Sequence, residues 1–407
     1  MLFSIAWKNL WRNKLRSLIV IIAMTLGLIG GILSAGIMGG ASDQSLKDAL
    51  NDYVSEIQIH HKDYSENNEL KFYIDNSEEL NTYIKNIKGV KSVSSRVKIL
   101  GMANSPVNAV GTFVNAIDPE TEKTVTNIYK RIADTSGTYF ESDRRNPIVI
   151  SKRMAEKLQL KLNSKLVITF SENDSTYSGG AFRVCGIYKT YNSVYDGMNV
   201  FIRQSDLTKI SSLPQNISHE TAIRVPLDED LEAVKTEILE KYPELSVLTW
   251  KESQGYLAMV SEMMDKMIYV FLIIILLALG FGIVNTMLMV VLERIKEVGM
   301  LMAVGMSKRR VFKMIMYETI FLSAVGGVVG MLISAGLLKS WGKNGINFAG
   351  MEEGFEQFGF ATQIYPALDP EFYFTLSFLI ILTGILASVY PARKATKLSP
   401  VEALKTD

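Results

Sequence analysis

Four long stretches carry no charged residue: Ser17 to Ser42, Met267 to Leu292, Thr319 to Leu338 and Phe372 to Ala392. Each meets or exceeds the roughly 20 residues needed to cross a hydrocarbon core about 30 Å thick. The sequence is therefore read as that of a membrane protein with four transmembrane α-helices. One span lies near the start and three near the end, which leaves residues 43–266 as a single large insertion between the first and second spans.

Lysine and arginine positions orient the spans. Lys8, Arg12, Lys14 and Arg16 precede the first span, and Arg294, Lys296, Lys308, Arg309, Arg310 and Lys313 lie between the second and third. Arg393, Lys394 and Lys397 follow the fourth, whereas residues 339–371 set only Lys339 and Lys343 against Glu352, Glu353, Glu356, Asp369 and Glu371. The positive-inside rule then puts both termini and residues 293–318 in the cytoplasm, and residues 43–266 and 339–371 outside. The chain is expected to cross its membrane several times. The first span is too long for the roughly 7–15-residue apolar region of a cleaved signal peptide, so it is expected to stay as an anchor. Ahead of it, residues 1–16 place Phe3, Ile5, Trp7, Leu10, Trp11 and Leu15 mostly on one side of a helix, with Lys8, Asn9, Arg12 and Arg16 toward the other. That pattern predicts an interfacial helix on the cytoplasmic leaflet.

A formal net charge of +1 gives no reason to expect a nucleic-acid partner. The single cysteine, Cys185, cannot close an internal disulfide and is expected to fill apolar space in the strand-like run Phe182 to Tyr188. The inserted segment reads as α+β. Strands are predicted over Val54 to His60, Val90 to Ile99, Val107 to Ile117, Ile148 to Ile150, Leu166 to Phe170, Phe182 to Tyr188, Asn199 to Arg203 and Thr221 to Val225. Helices are predicted from Ser77 to Ile87, from an N-cap at Ser151 to Leu160, and from about Asp230 to Lys241. Ser171 to Gly180, polar and glycine-containing, is predicted as a loop. At the segment's ends, Ser42 to Tyr53 and Ser253 to Lys266 keep helical character, so the first two spans are expected to continue outward as stalks. His60 and His61, adjacent on a strand, point to opposite faces, and His219 is isolated in sequence, which argues against a metal centre.

Residues 293–318 carry the most information for their length. Ile295, Val298, Leu301 and Met302 are expected to line one side of a short helix, with Arg294, Lys296 and Glu297 elsewhere. Gly305 is placed to end that helix and Ser307 to cap the next. Gly299, Ala303 and Gly305, expected to be exposed, would let a partner approach closely. In the tail, Ser399, Pro400 and Glu402 form a capping box with proline at the first helical position.

On these residues the chain resembles the permease superfamily that includes MacB, the LolC and LolE lipoprotein-release subunits and FtsX. Glu297, Gly299, Ala303, Gly305 and Glu318 match its coupling-helix signature; Tyr390, Pro391, Ala392, Ala395, Pro400, Glu402, Ala403 and Leu404 look like its closing motif. The runs Ala116 to Pro119, Ala155 to Leu158 and Val184 to Met198 are similar to the periplasmic domain of the LolC, LolE and MacB branch. The resemblance implies a permease subunit that passes ATPase motion through its stalks to a periplasmic domain, extracting or exporting lipoprotein or other lipophilic cargo. No G-x-x-x-x-G-K-[ST] phosphate loop occurs in the sequence, so no catalytic, metal or cofactor residue is assigned here. ATP and Mg2+ are expected in a partner ATPase. Implied partners are a cytoplasmic ABC ATPase dimer, a second permease copy or paralogue, a periplasmic carrier or adaptor, and membrane lipids. ATPase contact is expected at Arg294, Glu297, Val298, Gly299, Leu301, Met302, Ala303, Gly305, Met306 and Arg309, with a cytoplasmic tail motif at Pro391, Arg393, Ser399, Pro400, Glu402 and Leu404. Alternatives are MacB-like efflux of drugs or peptides, and FtsX-like regulation of a cell-wall hydrolase.

Overall fold

The computed structural model of the chain describes Phe3, Ala6, Trp7, Arg12 and residues 14–64, 69–140, 145–226 and 229–397. Contacts divide it into two units, Met1–Ser42 with Glu262–Asn347 and Gln363–Asp407, and Asp43–Ser261 with Phe348–Thr362. In chain order the elements are α1 (Lys14–Ala49), β1 (Ile57–His61), α2 (Ser77–Ile84), β2 (Ser92–Asn104), β3 (Ala109–Ile117), α3 (Pro119–Val125), β4 (Ile132–Gly137), β5 (Pro147–Ser151) and α4 (Lys152–Leu158). They continue with β6 (Lys165–Ser171), β7 (Tyr177–Tyr188), β8 (Asn199–Arg203), β9 (Glu220–Arg224), α5 (Leu231–Lys241), β10 (Leu245–Thr249), α6 (Gly255–Glu293) and α7 (Ile295–Ala303). The last are α8 (Lys308–Asn344), β11 (Ile346–Asn347), α9 (Glu352–Gln357), β12 (Gln363–Ile364) and α10 (Pro370–Lys397).

Among the described residues, α1, α6, α8 and α10 are long and apolar enough to cross a membrane. Each outruns its uncharged stretch, because backbone hydrogen bonding continues into polar sequence wherever no glycine or proline stops it. Leu26, Ile273, Phe281, Leu332 and Phe378 are exposed, as a surface facing acyl chains requires. Inside the first unit, small residues set the helix crossings. A Cβ on Gly326 would come within 3.0 Å of Met24 Cβ, and one on Gly330 within 3.0 Å of Leu28 Cβ, so α8 lies close against α1. The interfacial-helix expectation falls partly outside the described residues. Of those described, Phe3 and Trp7 set their rings edge-on to Phe321 at 4.5 and 5.4 Å.

The second unit is the inserted α+β body. Its ladders β2–β3, β3–β8, β8–β5, β5–β7, β7–β6 and β6–β2 close a ring of six strands. Alternation along these strands turns Ile99, Val114, Ile150, Ile168, Phe182 and Ile202 into one buried cluster, joined by Met154 and Leu158 of α4. Ser151 caps α4 as expected, its Oγ accepting from Met154 N at 3.0 Å. The N-terminal half of β2 extends the sheet in the order β10-β1-β9-β2. On that part, Leu80 and Ile84 of α2 and Val234 and Ile238 of α5 cover Ile59, Val93, Ile223 and Val247. Cys185 is buried with Val149, Tyr188 and Phe201.

Two readings from the sequence change. The loop expected over Ser171 to Gly180 shrinks to residues 172–176: β6 runs to Ser171, β7 starts at Tyr177, and the two pair from Ser171↔Tyr177 through Ile168↔Gly180. A Cβ on Gly179 would lie 2.4 Å from Ile168 O, so this glycine serves a close strand approach rather than a turn. Strands β4 and β10 were not anticipated. His219, isolated in sequence, is brought beside His60, whose Nδ1 lies 2.8 Å from His219 O.

Side chains from elsewhere in this unit bond to the end of α1. After Ala49 the helix widens into a π-turn over Leu50–Val54 and stops at Ser55, which has a φ of 66°. Three arginines converge there. Arg224 Nη1 donates to Leu50 O at 3.2 Å, and Arg96 Nη1 to Tyr53 O at 3.3 Å. Arg131 donates to Asp52 Oδ2 at 2.8 Å and Asp48 Oδ1 at 3.1 Å. Burial pushes the Asp52 carboxyl up to about 6, with Arg131 pulling the other way. Arg96 is itself buried between Glu122 and Glu220, and Lys98 reaches Glu220 at 2.8 Å. Burial would raise Glu220, but Lys98 and Arg96 outweigh it and hold the carboxyl well below its usual range.

Replacing Arg96 by methionine leaves two buried carboxylates without their shared cation, so we expect a loss of about 3–5 kcal/mol in the unfolding of this unit, read by thermal melting. A second expectation concerns pH. His219 is buried, its Nε2 lies 3.1 Å from Leu70 O, and its Nδ1 has no partner among the described residues. Burial lowers it from 6.5 to about 4, so the folded state favours the neutral ring. Its stabilising contribution is complete above pH 6.5 and is lost as the pH falls toward 4, amounting to roughly 2 kcal/mol at about pH 5. Between pH 7 and 5 the melting temperature of the wild type should therefore drop further than that of His219→Gln; equal drops would refute this.

Candidate docking site on the helix between spans two and three

Helix α6 ends at Glu293 because Arg294 leaves the helical region, with φ −102° and ψ 16°. The chain restarts as α7, nine residues long. A helix this short does not hold by itself in water, so its contacts decide its position. Ile295, Val298 and Gly299 are buried, and Val298 shares a cluster with Met24, Met287, Val311, Ile315 and Leu322. Met302 and Met306 pack on the same cluster from its edge.

Charges tie α7 down from both sides. Arg294 Nη1 donates to Glu318 Oε1 at 3.1 Å, and its Nε donates to Glu297 Oε2 at 3.0 Å. Arg12 donates to the other oxygen of Glu297. The result is an alternating chain, Arg12–Glu297–Arg294–Glu318. Hydrogen bonds from Arg12 and Arg294 hold the Glu297 carboxyl below the usual carboxylate range despite some burial. Glu318 is buried, so Arg294 supplies the countercharge that a carboxylate needs there.

The end of α7 is closed by its own backbone. Gly305 N donates to Met302 O at 3.1 Å and Met306 N to Leu301 O at 2.9 Å, the paired bonds of a Schellman termination. Gly305 adopts φ +105°, which the motif needs and side-chain-bearing residues rarely take. Ser307 stands at the N-cap of α8, but its side chain makes no capping bond.

Of the residues expected here, Ile295, Val298 and Met302 face inward and Ala303, Gly305 and Arg309 are exposed. Two expectations are corrected. Gly299 is buried, not exposed, because it follows Ile295 by four residues and returns to the same face. Leu301 is exposed, not inward, because six residues after Ile295 it comes out about 120° around the helix. Met300, Leu301 and Val304 thus form an exposed apolar tip, with Val304 91% exposed. In the tail, Pro391 is buried within α10 and Arg393 is exposed, and Ala392 and Ala395 join the cluster of Val298. Ser399, Pro400, Glu402 and Leu404 lie outside the described residues. The anchoring roles of Arg12 and Glu318 were not read from sequence. For Glu318 the signal was a carboxylate directly before an uncharged span.

The chain matches the MacB-like periplasmic core domain family over residues 17–241 and the FtsX-like permease C-terminal family over residues 269–400. The Uncharacterized ABC transporter permease YknZ of Bacillus subtilis is 21% identical over 421 residues, covering 98% of this chain and 97% of that protein. The Macrolide export ATP-binding/permease protein MacB of Wolinella succinogenes is 34% identical over 133 residues, covering 32% of this chain and 18% of that protein. The Pyoverdine export ATP-binding/permease protein PvdT of Pseudomonas entomophila is 35% identical over 132 residues, covering 32% and 17%. The matched parts therefore span less than a fifth of MacB and PvdT. The solved periplasmic region of MacB from Actinobacillus actinomycetemcomitans overlays with a TM-score of 0.36 at 8% identity, covering 53% of this chain and 98% of that one.

A Cβ at position 305 would meet no heavy atom of the described residues within 4 Å, so a side chain there is opposed by the backbone. Gly305→Val should cost about 1–3 kcal/mol, measured as a lower melting temperature in detergent, while Ala303→Val, exposed and helical, should cost less than about 1 kcal/mol.

Proposed function

We propose, from the premise that this chain belongs to the ABC transporter permeases with a MacB-like periplasmic core domain and an FtsX-like C-terminal domain, that α7 is its docking point for a separate ATP-binding chain. The observation that carries this reading is the division of labour on α7. One face is anchored by apolar packing and an ion-pair chain, while Met300, Leu301 and Val304 stand exposed beside the cations Lys296, Lys308 and Arg309. An internal connector has no need of an exposed apolar tip, whereas a partner groove would cover it. ATP and Mg2+ would act in the partner chain.

In this reading both termini and α7 are cytoplasmic, the membrane is the bacterial inner membrane, and two permease copies, or this chain and a paralogue, stand on an ATPase pair. The alternating chain from Arg12 to Glu318 makes α7 one rigid piece with the start of α8. Displacement of α7 by ATP-driven closure is then passed to the helices. The arginine clamp at the end of α1 is suited to receiving such a displacement, since it fixes that end to the sheet by several charge-assisted bonds. The cargo is lipoprotein or another lipophilic molecule taken from the outer leaflet. A second reading, export of a small molecule, draws support from the names of the macrolide and pyoverdine exporters among the relatives.

Purifying the tagged protein from native membranes should bring down an ABC-type ATPase. Replacing Met300, Leu301 and Val304 together by serine should lower its recovery about tenfold without changing the melting temperature. Absence of any ATPase from the wild-type preparation would overturn the reading. Acylated lipoprotein in the eluate would favour lipoprotein release, and an adaptor without lipid cargo would favour small-molecule export.

A further inference from the structure

The ring of six strands has an outer face as well as a core. Ile99, Val114, Ile168 and Phe182 point into the buried cluster, so their neighbours along β2, β3, β6 and β7 point outward. The registers set these outward residues in rows across the four strands. At one end the face is low, with Ala109 and Ala181 in the row of Asn104 and Val167. In the middle row Gly111 and Gly179 leave bare backbone on either side of Met102 and Thr169. At the other end Phe113 stands beside Leu100, and Tyr177 beside Ser171. Leu100 is 60% exposed and Tyr177 86%, so no described segment of the chain covers this apolar end.

Charge is graded along the same axis. Lys165 and Arg183 pair across β6 and β7 just beyond the low end. Asp174 lies in the turn between those two strands, beyond the high end, where Thr176 Oγ1 donates to it at 2.6 Å. All three are exposed and enter no ion pair among the described residues. Lys98, the next outward residue of β2, is already neutralised by Glu220.

We propose that this face packs against the same face of a second copy of the chain. The inference rests on the reading that two permease copies stand in one assembly, and it adds the surface on which their external units meet. A two-fold axis lying in the face and crossing the strands reverses the strand direction and keeps each strand over its own copy. Tyr177 of one copy then covers Ala181 of the other, and Phe113 covers Ala109. The bare middle rows meet, and Asp174 is brought to Lys165 and Arg183 of the other copy. One symmetry operation thus matches high relief to low and negative charge to positive, the self-complementarity that an isologous contact requires. Four strands about 4.8 Å apart and strands of seven residues such as β6 give a face of only about 400 Å². A stable dimer in solution needs about 800 Å² per partner, so this contact joins copies already held in one assembly rather than creating the pair.

The test uses the full chain in native membranes, with and without a non-hydrolysable ATP analogue. Thr169→Cys, in a chain also carrying Cys185→Ala, places one thiol in the middle row, which the two-fold axis lays on itself. A bismaleimide able to bridge the about 10 Å between packed sheets should give a cross-linked dimer. Glu237→Cys, exposed on α5, should give none. Adding Asp174→Lys should lower the dimer yield about fivefold, and adding Lys165→Asp with Arg183→Asp to that chain should restore it, since each charge has its partner in the other copy. If differently tagged copies co-purify with an ATPase and Thr169→Cys gives no dimer in either nucleotide state, this contact is refuted while the functional reading stands. If the copies do not co-purify, the pair and the contact fail together. A cross-link from Thr169→Cys to a different protein overturns the assignment to a second copy.

Discussion

The second unit depends on how the last turn of α1 is held. A helix terminus leaves carbonyl groups without partners and concentrates partial negative charge. Here Asp48 and Asp52 add two carboxylates to that end; Arg131 donates to both, while Arg96 and Arg224 donate to the carbonyls of Tyr53 and Leu50. The arginines are not free to swing. Arg96 is pinned by Glu122 and Glu220, and Arg224 lies against Glu56. Buried charges of this kind are costly unless fully paired, so the geometry is set by the network as a whole rather than by any single bond. It explains why a helix end inside an apolar sheet unit carries so much polarity.

The first unit solves a smaller version of the same problem. Helix α7 is too short to be stable by hydrogen bonding alone, and it is fixed by one buried face together with the chain from Arg12 to Glu318. Because those contacts consume one side only, the other is left to present Met300, Leu301 and Val304. Gly305 then turns the chain sharply enough for α8 to begin three residues later. Anchoring and exposure are therefore two results of the same nine-residue helix.

Errors in reading the sequence share one cause. The apolar pattern of 295–302 identified a helix, but only the contact with Val311 and Ile315 chose which arc of it is buried, and that put Gly299 inside and Leu301 outside. The glycines at 179 and 180 looked like a turn, since local sequence does not reveal that a neighbouring backbone comes within contact distance. His60 and His219 are 159 residues apart and meet only through the pairing of β1 with β9. Likewise Arg12 and Glu297 are 285 residues apart. Pairings of this separation leave no trace in local periodicity.

Sequence by itself determined the four apolar helices, the one-plus-three layout, the α+β insertion and the family. These rest on properties that each segment carries alone: length without charge, alternation or a helical period, and capping residues such as Ser151 and Gly305. Tertiary structure decided the closed ring of six strands, the arginine clamp on α1 and the exposed tip of α7. Each of these needs groups far apart in the chain to be desolvated together, and a buried charge or close backbone contact has meaning only once its partner is in place.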